Sequence, residues 1–336
     1  MRPRLRRRGL LGLALLAGAG CAASPGRPRA QGGAAAVADL TQAWRDPARD
    51  RVLPVRLRLP PSGAGPRPAV LVSHGLGGSR DGLGYLGRAL AEAGFVAVHL
   101  QHPGTDSALW QGQAEVGLAL AAAAFDVSQA AARLRDGVFA LDELARRAAS
   151  PGDALHGRVD LSRLAAAGHS YGAWTVQHLL GQRLPGGGGG VPGLALPDPR
   201  LRAGVALSPI APRGLPPRLA FARFSAPLLS VTGTRDHGYI EGAAPADREI
   251  PFRSIAGVPQ ALAVLDGATH GAFADEPAAG PRWSDPTYHA RTAALCVAFL
   301  RAVLLRDAAS ARLLRDGAPG VLAPGDRLEV KEFPAA

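Results

Sequence analysis

Asparagine is absent from this sequence of 336 residues, and Lys331 is its only lysine. Arginine therefore carries nearly all of the basic charge and gives the chain a net charge of +11. Seven arginines lie within residues 1–30, which contain no acidic residue, so the remaining chain carries only +4. Such a preference for arginine is typical of a GC-rich genome, and a charge of +4 does not indicate a phosphate-binding surface. We expect no nucleic-acid partner.

Cysteine is nearly absent as well, with only Cys21 and Cys296. Cys21 closes a predicted leader, so the mature chain has no framework of paired cysteines and no disulfide is expected in it. Cys296 lies in an apolar, helix-like run at residues 292–300, where a cysteine is usually a small buried hydrophobic residue. The fold must depend on a hydrophobic core, which a chain of this length can supply.

The first 30 residues have the order of a signal peptide. A basic region precedes an apolar run at residues 10–17, and small residues continue to Ala23. The apolar run is shorter than the ~20 residues that a membrane-spanning helix needs. Arg7 and Arg8 also fit a twin-arginine signal, with a plain secretory signal as the alternative. We expect an exported protein, periplasmic or secreted, that is either lipid-anchored through Cys21 or soluble after cleavage behind Ala23.

The most informative motif is Gly-His-Ser-Tyr-Gly at residues 168–172. Residues 163–167 before it are typical of a buried strand, and residues 173–180 after it favour a helix. G-x-S-x-G between a strand and a helix is the pattern of a nucleophile elbow, whose turn leaves room only for glycines beside the serine. Ser170 is then expected at the end of the sheet, near the first N–H groups of the helix. A chain with 43 glycines also produces this pentapeptide by chance. The assignment of Ser170 as a nucleophile therefore depends on whether the sequence also supplies a base, an acid and an oxyanion hole.

A nucleophilic serine needs a histidine base and an acid that orients the histidine, in the chain order Ser, Asp/Glu, His. Asp236 follows a strand predicted at residues 226–234, and His270 follows another at residues 260–265. The carboxyl ends of neighbouring strands meet at one edge of an open α/β sheet. We therefore expect Ser170, Asp236 and His270 to form a catalytic triad.

A second glycine-rich turn, at residues 74–78, follows a strand predicted at residues 69–73. Such a turn lets backbone N–H groups face a substrate carbonyl, and the residue after the nucleophile supplies a second donor. We predict that the backbone N–H groups of Leu76 and Tyr171 form an oxyanion hole. His74, beside this turn, is expected to order it.

These motifs resemble those of the α/β-hydrolase superfamily. More narrowly, they are similar to its dienelactone-hydrolase-like branch, which includes the platelet-activating-factor acetylhydrolases and the cutinase-like, polyester-cleaving enzymes. The resemblance covers about residues 50–310 and implies an α/β-hydrolase fold that hydrolyses esters with a serine triad. Dienelactone hydrolases use a cysteine nucleophile, whereas Ser170 stands at that position here, so dienelactone is not the implied substrate. The matching motifs lie at residues 74–78, 94–98, 168–172, 233–236 and 267–270.

The alternation of predicted strands and helices favours an α/β fold with a mostly parallel sheet and helices on both faces. Residues 52–59 alternate apolar and basic side chains, which is typical of an edge strand, and residues 127–144 repeat apolar side chains at helical spacing. No large cap domain is expected. The predicted divisions are a signal peptide and linker (1–30), a tether (31–50), a catalytic domain (51–316) and a tail (317–336).

Tryptophans in loop-like segments are candidates for contact with a substrate. Trp110 and Trp283 are predicted to line the pocket, whereas Trp174, on the elbow helix, is expected in the core. The segments expected to shape the pocket lie at about residues 102–126, 181–200 and 236–256.

Other polar residues near the predicted triad have a structural interpretation. His169 is expected to pack beside the nucleophile without transferring protons, and Asp247 and Arg248 are expected to form a local ion pair. His237 follows Asp236, but no carboxylate–histidine spacing supports a metal site. We expect neither a metal nor a cofactor.

The triad and the oxyanion turn together predict a secreted serine carboxylester hydrolase that acts through an acyl-enzyme. Its substrate is expected to be a small-molecule or lipid-like ester, whose acyl and alcohol parts do not follow from the sequence. Two alternatives are a serine peptidase or acyltransferase on the same fold and a catalytically silent hydrolase fold used for binding.

Overall fold

Nine strands form one mostly parallel sheet in the part of the chain that the structure describes. The computed structural model describes residues 36–333 with gaps at 62, 64, 113, 186–195 and 277–283. The strands are β1 (Ala38–Asp46), β2 (Arg51–Leu59), β3 (Arg67–Ser73), β4 (Val96–Leu100), β5 (Val159–His169), β6 (Leu201–Leu207), β7 (Leu228–Arg235), β8 (Gln260–Thr269) and β9 (Arg327–Lys331). Their order in the sheet is β1-β2-β4-β3-β5-β6-β7-β8-β9.

The central strands β3 to β8 pair in parallel. Their sequences are nearly continuous apolar runs, and all five residues of β4 are buried. Strands covered on both faces have this composition, since neither face meets water. The antiparallel pairs lie at the two sides, β1 with β2, β2 with β4, and β8 with β9. The predicted α/β class and mostly parallel sheet are confirmed.

Helices cover both faces of this sheet. Leu134 and Val176 belong to one buried cluster, and Leu86 and Phe299 belong to the other. Cys296 is fully buried in the second cluster, as its apolar surroundings predict. The helices are α1 (Gly84–Glu92), α2 (Val116–Phe125), α3 (Val127–Ala149), α4 (Tyr171–Leu179), α5 (Pro217–Ala220), α6 (Ile250–Ser254), α7 (His289–Leu304) and α8 (Ala308–Arg315).

The structure differs from the sequence-based prediction at both edges of the sheet. β1 lies within the predicted tether, residues 31–50, and pairs along its whole length with β2. The strand predicted at 52–59 is therefore interior and not an edge strand. β9 lies within the predicted tail, residues 317–336, and pairs with β8. β1 is mostly exposed and β9 is half-buried, so backbone pairing orders them without a strong apolar pattern.

No helix among the described residues is both long and apolar enough to cross a membrane. Residues 1–35, which include the predicted signal peptide and Cys21, lie outside the described residues. Export and lipid anchoring therefore stay predictions.

Candidate active site

Ser170 lies in the turn between β5 and α4 and has a strained backbone. Its φ is +54° and its ψ is −115°, a combination that residues with side chains rarely adopt. The flanking glycines are required by close approach. A Cβ on Gly168 would lie 2.4 Å from the backbone of Gly172, and a Cβ on Gly172 would lie 2.0 Å from the Ser73 carbonyl oxygen. Residues 168–172 thus have the strand–turn–helix context that the elbow motif requires.

The structure brings Ser170, His270 and Asp236 into one hydrogen-bonded chain. The Ser170 hydroxyl lies 2.9 Å from Nε2 of His270, and Nδ1 of His270 lies 2.7 Å from Oδ1 of Asp236. With the ring hydrogen on Nδ1, His270 donates to Asp236 and accepts from Ser170. The Thr232 hydroxyl donates to the other Asp236 oxygen at 2.7 Å. Each of the three residues directly follows a strand, β5, β8 or β7.

Asp236 is fully buried and nevertheless ionised. Burial raises the pKa of its carboxyl group, but the hydrogen bond and charge of His270 and the charge of Arg248 outweigh burial. They hold the pKa well below its ordinary value of 3.8. A fixed negative charge here selects the Nδ1–H tautomer of His270 and stabilises its protonated form.

Leu76 and Tyr171 line the same cavity as Ser170. Within the described residues, neither of their backbone N–H groups has a hydrogen-bond partner. Tyr171 begins α4, where the first N–H groups of a helix have no partner in the helix. Leu76 precedes Gly77, whose N–H donates to the Thr105 carbonyl at 2.9 Å. The two donors predicted for the oxyanion hole therefore lie beside the serine, in turns with fixed backbones.

A fully buried arginine of α3 fixes the oxyanion turn, and the sequence did not single it out. Burial lowers the pKa of Arg133 to about 10, so the side chain stays charged at neutral pH. Its guanidinium donates hydrogen bonds to three segments: the end of β3 with the turn after it, the loop that follows β4, and helix α4. Its acceptors are the His74 carbonyl at 2.6 Å and the hydroxyls of Ser73 at 3.0 Å, Thr105 at 2.8 Å and Thr175 at 3.1 Å.

Near Arg133, the carboxylate of Asp136 binds two further arginines and a histidine. Its carboxylate accepts hydrogen bonds from Arg51 at 2.8 and 2.9 Å and from Arg49 at 2.8 Å. His102 lies 3.0 Å from Asp136 through Nδ1 and 2.9 Å from the Ser73 hydroxyl through Nε2. Burial and the nearby arginine charge lower the pKa of His102 to about 4, so its ring is neutral. This network anchors the loop that pairs with the oxyanion turn.

Arg248 does not pair with Asp247, which corrects the sequence-based prediction. Its buried guanidinium lies 3.4 Å from Oδ1 of Asp236 through Nε and 2.6 Å from Oε1 of Glu241 through Nη2. Asp247 instead accepts a hydrogen bond from the Ala244 N–H at 2.8 Å. Adjacent residues on a helical turn point in different directions, so Asp247 and Arg248 do not face each other.

A cavity of about 500 Å³ opens beside Ser170, and most of its lining is apolar. All three segments that were expected to shape it contribute, for example through Phe125, Leu184 and Ile240. The start of α3 and the loop after β6, represented by Ile210, also line it and were not predicted. Two carboxylates, Asp126 and Glu241, and the arginines 135, 183 and 213 lie among the lining residues.

The tryptophans differ from their predicted roles. Trp110 does not line the cavity, because its indole N–H donates to the Gly77 carbonyl at 2.7 Å and its ring lies against the oxyanion turn. Trp174 lines the cavity and packs against His178, with ring centroids 4.0 Å apart and the ring planes tilted by 35°. It is four residues after Ser170, and residues at this spacing share one face of a helix. Trp283 lies outside the described residues.

The neighbouring histidines order loops. Burial and the His270 charge lower the pKa of His169 to about 3, and its Nε2–H donates to the His270 carbonyl at 2.9 Å. His74 donates through Nδ1 to the carbonyl of the next residue at 2.5 Å and accepts the His102 N–H at 3.0 Å. His237 is exposed. Among the described residues, no group of three or more His, Cys, Asp or Glu side chains suits a metal ion.

Glu276 joins the loop after His270 to the oxyanion turn. Its carboxylate accepts the Ser79 backbone N–H at 2.7 Å and also the Ser79 hydroxyl. Burial raises the pKa of Glu276. The sequence does not predict this contact, because an isolated acid in a loop carries no periodic pattern.

No protein-family model matches the sequence, and no curated protein matches it significantly.

Proposed function

We propose that this protein is an exported serine carboxylester hydrolase with an α/β-hydrolase fold and no large cap domain. The observation that carries the proposal is the chain of hydrogen bonds from Ser170 through His270 to Asp236. The backbone N–H groups of Leu76 and Tyr171 beside Ser170 support it. The position of all three triad residues directly after parallel strands supports the proposed fold.

In the proposed reaction, Ser170 attacks the ester carbonyl while Nε2 of His270 takes the hydroxyl proton. Asp236 holds the Nδ1–H group and stabilises the imidazolium. The N–H groups of Leu76 and Tyr171 bind the oxyanion, a role in which the loss of one donor costs about 100- to 1000-fold in rate. His270 then returns the proton to the leaving alcohol, and water hydrolyses the acyl-enzyme with the same base.

The surroundings of the cavity favour an ester with an apolar, lipid-like part. Residues 116–125 form α2 and are all apolar or glycine, yet only Ala123 among them is buried. Leu118 is 71% exposed, and Phe125, which lines the cavity, is 60% exposed. An exposed apolar surface at the mouth of an apolar cavity is suited to apolar ligands. A volume of about 500 Å³ lies in the range of small-molecule sites.

The test of the proposed function is the substitution Ser170→Ala with an activated phosphonate probe. We expect the wild-type protein to hydrolyse chromogenic esters and to become labelled on Ser170. The variant should remain folded, take up no label and lose several orders of magnitude of ester hydrolysis. Ser162→Ala, at an exposed position near the start of β5, is the control and should keep full activity.

The same assay separates the alternatives. A peptidase or an acyltransferase would be labelled on Ser170 but would prefer amide substrates or alcohol acceptors over ester hydrolysis. A silent binding protein would take no label. Unchanged ester hydrolysis in Ser170→Ala would contradict the assignment of the nucleophile.

A further inference from the structure

Arg248 lies between two carboxylates and touches the proposed general base. Its side chain is wholly buried, 3.4 Å from Asp236 and 2.6 Å from Glu241. Its Nη2 also lies 3.3 Å from Nδ1 of His270. Because Nδ1 gives its hydrogen to Asp236, this contact is a close approach of a cation to the ring and not a hydrogen bond.

An arginine alone at this position would make the transfer of a proton from Ser170 to His270 less favourable. A positive charge beside His270 disfavours protonation of its ring, and it also neutralises Asp236, which stabilises the imidazolium. Glu241 reverses this effect because it adds a second negative charge to the group. With Glu241 included, the cluster carries one net negative charge when His270 is neutral and none when His270 is protonated. Proton transfer from serine to histidine then reduces the buried net charge on this side of the site.

Glu241 is held in its charged form by the same arginine. Burial raises the pKa of its carboxyl group, but the charge of Arg248 outweighs burial, and the pKa is lowered. The Glu241 main-chain carbonyl accepts a hydrogen bond from Arg213, which fixes the loop. Glu241 also lines the cavity, whereas Arg248 is enclosed.

We propose that Arg248 and Glu241 are positioning residues for the reaction: Arg248 fixes the Asp236 carboxylate, and Glu241 offsets the charge of Arg248 so that His270 can accept a proton. This inference rests on the proposed hydrolase function. The groups that face His270 from the elements packed around it are Asp236, Glu241, Arg248, the Ser170 hydroxyl and the neutral ring of His169.

The pH dependence of kcat/KM separates this role from a merely structural one. Glu241→Gln removes a negative charge at nearly constant shape, so the acid limb of the profile should move to lower pH by about one unit. The plateau should fall by about tenfold, because His270 becomes a weaker base. Arg248→Met removes the positive charge and should move the acid limb to higher pH. In the double variant the two shifts oppose each other, and the limb should return towards the wild-type position.

Glu249→Gln is the matched control, because Glu249 lies in the same segment but binds the surface residues Arg253 and Arg327. Its profile should equal that of the wild type. Circular dichroism and thermal melting establish whether each variant is folded. If Arg248→Met does not fold, the pH profile of Glu241→Gln alone tests the proposal. A lower plateau with an unmoved acid limb in Glu241→Gln would overturn the proposal.

An NMR titration of the His270 ring in the same variants keeps this inference separate from the proposed function. The titration needs no substrate, so it measures the effect of the two charges even in a protein without ester hydrolysis. We expect the His270 midpoint to fall in Glu241→Gln and to rise in Arg248→Met. A midpoint that stays unchanged in folded Glu241→Gln contradicts the proposal whether or not the protein is a hydrolase.

Discussion

The charge of Asp236 depends on His270, which the motifs contain, and on Arg248, which no sequence motif contains. Burial alone would raise the pKa of an enclosed carboxyl group. The Thr232 hydroxyl donates to Oδ2 of Asp236. His270 donates to Oδ1, and the Arg248 guanidinium lies beside this same oxygen. The contacts with His270 and Arg248 lower the pKa of Asp236 despite its burial, so this residue is a fixed anion throughout the neutral range.

Replacing this anion by an amide tests its role at the scale of one residue. We expect Asp236→Asn to keep the fold and to lower kcat by about 10,000-fold, because the amide favours the wrong histidine tautomer. Ester hydrolysis and circular dichroism measure the two effects. Asp266→Asn is the control, since Asp266 lies in the neighbouring strand β8 and its side chain accepts the hydroxyl of the exposed Thr234. Full activity in Asp236→Asn together with inactivity in Asp266→Asn would place the acid elsewhere.

At the scale of elements, the sequence predicted where the three proposed triad residues lie, because each of them follows a strong strand pattern. Ser170 comes immediately after a run of buried residues, whereas two residues separate Asp236 from the buried run of β7 and four separate His270 from that of β8. A parallel sheet brings such positions at the ends of its strands together. The outer strands were missed because β1 is mostly exposed and relies on backbone pairing with β2. Local pattern thus predicts the central strands, and long-range pairing decides the edges.

The supporting arginines could not be predicted for a related reason. Arg133 and Arg146 belong to the same helix and look alike in sequence, yet the first is fully buried and the side chain of the second is 60% exposed. What distinguishes Arg133 is the set of acceptors that surround it, and these come from three other segments of the chain. Contacts of this kind depend on the assembled fold.

Arg133 provides the prediction at the scale of elements, because it holds the oxyanion turn against α3 and α4. We expect Arg133→Met to lower kcat/KM by about 100-fold through displacement of the Leu76 N–H. It should also lower the free energy of unfolding by about 3 kcal/mol, since several buried acceptors lose their donor. Kinetics and urea denaturation measure the two effects.

Arg146→Met is the control for that substitution, because Arg146 pairs with Glu143 at the surface of the same helix. It should change neither activity nor stability appreciably. A stable Arg133→Met protein with wild-type kinetics would show that the oxyanion turn holds its shape without this arginine.

At the scale of the whole molecule, the N-terminal segment makes a prediction about processing. A basic region followed by a short apolar run suits recognition and cleavage by an export machinery. We expect the exported protein to lack residues 1–20 and to begin at a lipidated Cys21 or near Ser24. Intact-mass measurement distinguishes these forms, since acylation adds a large increment at Cys21. An active cytoplasmic protein that retains Met1 would contradict both.

Five buried histidines with lowered pKa values give the whole protein a pH-dependent stability: His74, His99, His102, His169 and His178. Burial is the main cause in each case, and it lowers the pKa of His99 and His169 to about 3 and of His102 and His178 to about 4. In an unfolded chain a histidine titrates near its ordinary value of 6.5. Unfolding therefore takes up protons below pH 6.5. The stabilisation is complete above that pH and is lost as the pH falls towards 4.

We accordingly expect the free energy of unfolding to fall steeply between pH 6.5 and pH 4, by about 1.4 kcal/mol per histidine and pH unit. Because folded proteins are stable by about 5–15 kcal/mol, acid unfolding should occur within this window. Guanidinium denaturation at a series of pH values measures the slope. His99→Gln keeps a donor and an acceptor and should reduce the slope by about one proton, whereas His237→Gln, at an exposed position, should leave it unchanged. A free energy of unfolding that is constant across this window would mean that these histidines are not held neutral in the folded protein.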